Sequence, residues 1–141
     1  MHVDQPQTAK SLAFAVLCTI TMGSTGCSTV QVQYSDGTTE YMARGEFSDY
    51  VESVFRLHNR ILNELIGATS LLDLEMLDAE DPLVRAEDAM NQACLPLNSV
   101  VQATIEGREL GLFEKLALPS AVPRCEQKTR EVEALLQSIQ T

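Results

Sequence analysis

The sequence predicts an all-α fold: a small antiparallel helical bundle of three main helices and one short helix, with a weak N-terminal β-hairpin. Apolar residues make up 45% of the 141 residues, as in globular proteins, whereas aromatic residues make up only 5% and Trp is absent. A core of Leu, Val, Ile and Ala suits helices packed side by side. Over most of the chain these residues recur every three or four positions, the spacing of one helix face.

The first helix is predicted to follow Gly45, with Ser48 as its N-cap, and to extend to about Leu77. Gly67 lies inside this stretch and is a candidate kink. The apolar face of this helix consists of Val51, Val54, His58, Ile61, Leu65, Ala68 and Leu72.

The second helix is predicted to begin at Pro82 with Asp81 as its cap, because proline at the first helical position loses no hydrogen bond. Pro96 falls inside this helix and is expected to kink it. Gly107 is expected to end or interrupt the helix.

The last part of the chain is predicted to contain two helices separated by a break. A short helix covers Leu110 to Leu118, and a final helix covers Arg124 to Ile139. Between them stands the segment 119–123, which begins and ends with proline.

A β-hairpin is predicted near the start of this domain. Apolar and polar residues alternate from Val30 to Tyr34, before Asp36-Gly37, and alternation resumes after the pair. A lone hairpin is marginal in water, so this one has to pack on the helices or remain a mobile tether. A weak packed hairpin is the preferred interpretation.

The N-terminal residues have the order of a targeting signal. A polar stretch with one Lys precedes the apolar run Leu12 to Met22, which is too short for a membrane span of about 20 residues. Small residues follow, and then Cys27. Over residues 1–28 this order resembles the signal class of bacterial lipoproteins, with Thr25, Gly26 and Cys27 on its last three positions.

The resemblance implies cleavage after Gly26 and lipidation of Cys27, which would anchor the protein in the cell envelope. In this class Asp after the cysteine favours the inner membrane, so Ser28 implies export to the outer membrane, on its periplasmic side. The alternatives are an ordinary secretory signal cut near Gly26 and a buried apolar segment of a cytosolic protein. The resulting divisions are 1–26 for the signal peptide, 27–45 for the lipidated tether with the hairpin, and 46–141 for the helical domain.

The four cysteines have different predicted roles. Cys18 would leave with the signal and Cys27 would carry the lipid, which leaves Cys94 and Cys125. In an oxidising compartment this pair is expected to form a disulfide; the alternative is two buried free thiols. The bridge would require the chain to double back, with the two linked helices antiparallel. Neither cysteine has ligand spacing to neighbouring residues, so no metal site and no cofactor is predicted.

Charge limits the partners that the sequence allows. The formal net charge is −10, and no basic stripe offsets it. A surface this acidic repels phosphate backbones and anionic lipid headgroups, so nucleic-acid binding is not expected. Membrane attachment would depend on the lipid and not on surface charge.

Two features could carry chemistry. His58 is the one histidine outside the signal, and it could be a general base or a pH sensor, although a boundary histidine with a satisfied hydrogen bond is preferred. Residues 73–81 are dense in carboxylates, but their spacing does not match a calcium loop. A solvated helix end is therefore the preferred interpretation of this segment.

No nucleophile, P-loop or dinucleotide motif occurs in the sequence. The sequence therefore predicts a non-enzymatic envelope lipoprotein that acts as a protein-binding adaptor or assembly factor. In architecture it would be similar to pilotins, small helical lipoproteins that escort secretion-channel subunits. The alternatives are a small periplasmic enzyme, an inhibitor of a cell-wall hydrolase, and a purely structural envelope protein. A large exposed apolar patch would favour the adaptor over the structural protein.

Overall fold

The computed structural model describes residues 28–71 and 81–139, and this part of the chain is mostly helical. The helical fold and the N-terminal hairpin are therefore confirmed, whereas Cys27, the signal peptide and the acidic segment 73–80 lie outside the described residues. The elements in chain order are β1 (Thr29–Gln33), β2 (Thr39–Ala43), α1 (Arg44–Leu71), α2 (Pro82–Ile105) and α3 (Leu112–Ile139).

The hairpin turns through three residues, Ser35 to Gly37. The Gly37 N–H donates to the Tyr34 carbonyl at 3.1 Å, and the Tyr34 N–H donates to the Thr38 carbonyl at 2.9 Å. Gly37 has a φ of +86°, a conformation that residues with a Cβ rarely adopt. This is the combination of a tight turn and a glycine bulge that favours the twist of a hairpin.

One face of the hairpin is part of the hydrophobic core. Val32 is fully buried and Met42 nearly so, while the half-buried Val30 pairs with Met42 across the two strands. The hairpin is therefore packed on the helices and is not a mobile tether.

Helix α1 begins directly after β2, four residues before Ser48, so the prediction of Ser48 as the N-cap is wrong. The carboxylate of Glu46 accepts a hydrogen bond from the Ala43 N–H at 3.3 Å. A glutamate on the first helical turn can satisfy the N–H of the residue before the helix in this way. Gly45 lies inside the first turn of α1, where glycine is tolerated.

The predicted start of α2 is confirmed. Asp81 Oδ1 accepts a hydrogen bond from the Leu83 N–H at 2.8 Å, and Pro82 is the first helical residue. Pro96 lies inside α2, which continues through it.

The predicted end of α2 at Gly107 is also confirmed. The Gly107 N–H donates to the Thr104 carbonyl at 3.2 Å, and the Arg108 N–H donates to the Ala103 carbonyl at 2.9 Å. Gly107 has a φ of +67°. These two bonds satisfy carbonyl groups that the end of a helix would otherwise leave unpaired.

The prediction of a break at 119–123 is wrong, because α3 is one continuous helix through Pro119 and Pro123. The structure accordingly has three helices in its described part, and the predicted short fourth helix is the start of α3. Each proline removes one helical N–H donor, which costs about 3 kcal/mol in an isolated helix. Ala121, Val122 and Pro123 are buried, and this tertiary packing outweighs the local preference of proline.

The core is aliphatic, as the composition predicts. It lies between the three helices and the inner face of the hairpin. Its largest fully buried side chains are Ile61, Met90, Leu97, Leu136, His58, Val32, Val54, Val122, Val132, Thr129, Cys94 and Cys125.

Side chains on α1 and α3 link these two helices at two levels. The Tyr50 hydroxyl group donates to Glu126 Oε2 at 2.7 Å, and Arg60 Nη2 donates to Glu133 Oε1, also at 2.7 Å. Within residues 28–71 and 81–139, no helix combines the length and the apolar character that crossing a membrane requires.

Candidate functional site

The centre of the core contains the predicted disulfide. Cys94 of α2 and Cys125 of α3 lie 31 positions apart, with their Cα atoms 4.6 Å apart and their sulfur atoms bonded. Both side chains are fully buried. The alternative of two free thiols is not what the structure contains.

A third chemically active side chain stands beside this bridge. His58 of α1 is 1% exposed, and one of its ring nitrogens and the two sulfur atoms all lie within 4.8 Å of one another. The sequence places His58 on the inner face of α1, which is confirmed. Its proximity to the bridge was not predicted, because the three residues come from three helices and share no local spacing.

The hydrogen bonding of His58 differs from the prediction. Its Nδ1 atom is buried and has no hydrogen-bond partner among the described residues. The prediction of a boundary histidine with a satisfied hydrogen bond is therefore wrong for Nδ1. Burial lowers the pKa of His58 below its ordinary value of 6.5, because the charged imidazolium loses its hydration in the core.

Thr129 completes the polar surroundings of the bridge. Its hydroxyl group donates to the Cys125 carbonyl at 2.8 Å and lies 3.8 Å from Cys94 Sγ. The hydroxyl group is thus satisfied by the backbone of its own helix, as is common for threonine inside helices. Among these buried polar groups, His58 Nδ1 is the one that lacks a partner in the described structure.

A shallow groove lies apart from this site, between the hairpin turn and α3. Its volume is about 520 Å³, and His58 is not among its lining residues. The groove is lined by Tyr34, Ser35, Asp36, Pro123, Glu126, Gln127 and Arg130.

The charged side chains that line the groove have hydrogen-bond partners: Asp36 accepts from Thr38, and Glu126 is paired with Arg130. Glu126 accepts hydrogen bonds from Tyr50 and from Arg130, the latter at 2.8 and 3.0 Å. Desolvation by burial, with the Glu126 carboxylate as the next cause, raises the pKa of Tyr50 far above its ordinary value. Desolvation and the hydrogen bond to Glu40 also raise the pKa of Tyr34. These tyrosines stay protonated at neutral pH and are unsuited to act as bases.

Apolar side chains are exposed where α2 turns into α3. Ile105 is the last residue of α2, and Leu112, Phe113 and Leu116 lie on the first turns of α3. Their exposed fractions are 80%, 68%, 86% and 66%, in that order. We call these four residues the apolar tip. Exposed apolar side chains mark a binding surface when they form one contiguous patch.

Of the acidic segment 73–81, the structure describes Asp81 alone. Residues 73–80 lie outside the described part of the chain, and Asp81 serves as the cap of α2. The predicted lipidation site, Cys27, also precedes the described residues.

The chain matches no protein-family model, no curated protein and no solved structure.

Proposed function

We propose that this protein is a non-enzymatic lipoprotein of the bacterial cell envelope that binds another protein, as an adaptor or assembly factor. The anchor would be a lipid on Cys27, and the protein would lie at the outer membrane, facing the periplasm. The resemblance of residues 1–28 to lipoprotein signals supports the anchor. A buried disulfide supports an oxidising compartment, since such bonds are rare in the cytosol.

The observation that carries the binding role is the apolar tip. Four large apolar side chains are each at least 66% exposed around one turn. Exposing them to water is unfavourable, at about 25 cal/mol per Å² of apolar area, and contact with a partner would remove that cost. A contiguous exposed apolar patch is more typical of a protein that binds a partner than of one without a partner.

The helix contacts support an antiparallel bundle in which the apolar tip and the anchor share one end. Tyr50 and Arg60 contact Glu126 and Glu133 in the same order, so α1 and α3 run in parallel. The bridge and the short turn before α3 make α2 antiparallel to α3. The start of α1 and the apolar tip then lie at the same end of the bundle.

The proposed anchor would be close to that end. Thr29 pairs with Ala43, the residue before α1, and Cys27 precedes Thr29 by two positions. Two extended residues span about 7 Å. A partner on the apolar tip would therefore be held close to the membrane surface.

Two observations favour a binding role over catalysis. In the groove beside α3, Glu126 is paired with Arg130, whereas Asp36 accepts a hydrogen bond from Thr38 and the Tyr34 phenol donates one to Glu40. His58 is enclosed in the core, where a substrate could not reach it without opening the helices. The candidate proton-transfer groups of the groove and of the core are thus engaged or inaccessible.

The anchor is tested by incorporation of radiolabelled palmitate, combined with membrane fractionation. We expect label in the wild type and none in Cys27→Ala, which should become soluble. Cys18→Ala is the matched control and should keep the label, because that residue would leave with the signal. Label in both the wild type and Cys27→Ala, or in neither, would contradict the anchor.

The binding role is tested with a photoreactive phenylalanine analogue placed at position 113 in living cells. We expect one discrete protein adduct, which disappears when Leu112 and Leu116 are both changed to serine. The control places the analogue at position 95, where Leu95 is 62% exposed in the middle of α2. Adducts with lipid alone, or equal adducts from both positions, would refute a protein partner at the apolar tip.

A further inference from the structure

We propose that the reduced form of this protein binds one Zn²⁺ ion through Cys94, Cys125 and His58. This inference is independent of the envelope role proposed above. Three side chains of the types that bind zinc meet in the core, one from each helix, with their ligand atoms within 4.8 Å of one another. Cysteine and histidine in this combination are common zinc ligands.

The unpartnered nitrogen of His58 is the observation that points to a ligand. A buried polar atom without a partner costs about 1–3 kcal/mol, and such atoms are rare in native proteins. Among the described residues nothing donates to His58 Nδ1, although the side chain is almost fully buried. A metal ion bound to Nδ1 and to the two sulfur atoms would remove this cost.

The charge of the ligand set suits a buried divalent ion. Two thiolates and one neutral imidazole balance the two positive charges of Zn²⁺, so the occupied site carries no net charge into the core. Burial already favours the neutral imidazole, because it lowers the pKa of His58. Three protein ligands leave the fourth tetrahedral position for a water molecule.

The geometry requires only local movement of the sulfur atoms. Zinc lies about 2.3 Å from sulfur and about 2.0 Å from nitrogen, which in a tetrahedral site places these ligand atoms about 3.5–3.8 Å apart. One imidazole nitrogen lies within 4.8 Å of both sulfur atoms, and the two sulfur atoms have to separate once their bond is broken. Rotation of the two cysteine side chains can supply this separation.

The chemistry has two balanced steps. A dithiol donates two electrons and two protons to the Cys94–Cys125 bond and becomes a disulfide itself, while both cysteines become thiols. Zn²⁺ then replaces the two thiol protons, which are released to solvent. The bridge and the metal site use the same sulfur atoms, so the protein can hold one or the other but never both.

The experiment reduces the full chain with a phosphine under anaerobic conditions and titrates it with Zn²⁺ against a chromophoric chelator. We expect the reduced protein to bind one ion per chain with release of about two protons. The bridged protein should bind none at this site. Co²⁺ in place of Zn²⁺ should give the absorption bands of thiolate coordination.

Variants separate a defined site from binding by exposed thiols. His58→Gln should weaken Zn²⁺ binding by at least about tenfold, and Cys94→Ser, which removes one of the two thiolates, should lower both the affinity and the intensity of the thiolate bands. Thr129→Val is the matched control: this residue contacts Cys94 Sγ but is no ligand, so its variant should bind as the wild type does.

If reduction loosens the fold, circular dichroism measures the helicity that is lost. Recovery of helicity on addition of Zn²⁺, in the wild type and not in His58→Gln, would support the site. Absence of metal uptake by the reduced wild type would overturn it. Equal affinity in the wild type and His58→Gln would overturn it as well, because the two thiols alone would then explain the binding.

Discussion

Tyr50 and Glu126 are 76 positions apart in the sequence, yet the Tyr50 hydroxyl group donates a hydrogen bond to Glu126 at 2.7 Å. This bond joins α1 to α3 at the edge of the core. Glu126 also accepts from Arg130, so its carboxylate remains paired if the tyrosine is removed.

Replacing Tyr50 with phenylalanine should lower the free energy of unfolding by about 1.5–3 kcal/mol, the net value of a hydrogen bond to a charged acceptor. Urea denaturation at neutral pH measures this change. Tyr41→Phe is the control, because Tyr41 is 68% exposed and its variant should differ from the wild type by less than about 0.5 kcal/mol. Equal losses in the two variants would show that the bond contributes nothing.

Replacing both Cys94 and Cys125 with alanine should destabilise the fold by roughly 3–4 kcal/mol, because the bridge closes a loop of 31 positions. The measurement is denaturant unfolding with and without reductant. Reductant should lower the stability of the wild type toward that of the variant and leave the variant unchanged. Two reactive thiols in the unfolded, unreduced wild type would refute the bridge in the purified protein.

Acidification should destabilise the protein through His58. Burial lowers its pKa below 6.5, so the unfolded chain takes up the proton first as the pH falls. The contribution of neutral His58 is complete above pH 6.5 and is lost below it, by up to about 1.4 kcal/mol per pH unit. We expect the wild type to lose more stability than His58→Gln between about pH 7.5 and about pH 5.5. Parallel pH profiles for the two proteins would contradict this prediction.

Replacing Asp81 with alanine should cost about 1 kcal/mol, because the Leu83 N–H loses its acceptor at the start of α2. Asp81→Asn retains an oxygen acceptor and should keep most of the stability. Asp88→Ala is the control on the same helix, since Asp88 is exposed, and it should not destabilise. Thermal or urea unfolding measures the stability of the three variants. Equal stabilities of all three would disprove the cap.

Replacing Pro119 with alanine should raise the free energy of unfolding by about 1–3 kcal/mol, because the new N–H can donate to the Lys115 carbonyl inside α3. Pro123→Ala should gain less, since Pro123 is buried and the smaller side chain leaves a cavity. Denaturant unfolding compares the two. A loss of stability in Pro119→Ala would indicate a bend at this position in solution.

The sequence determined the features that depend on neighbouring residues. Asp81 and Pro82 begin α2, Gly107 ends it, and Asp36-Gly37 forms the hairpin turn, because each depends on backbone conformations and hydrogen bonds within a few positions. The aliphatic helix faces were predictable for the same reason, since a helix repeats every 3.6 residues. The pairing of Cys94 with Cys125 followed from counting cysteines, on the expectation of an oxidising compartment.

Tertiary packing decided the features that local preference predicts wrongly or cannot predict. Pro119 and Pro123 favour a break when considered alone, but burial of their neighbours keeps α3 continuous. The position of His58 beside the disulfide required α1 to pack against both other helices, and its unpartnered nitrogen followed from that packing. Contacts between distant segments cost conformational entropy, and burial of the whole core offsets that cost. A short stretch of sequence therefore cannot predict them.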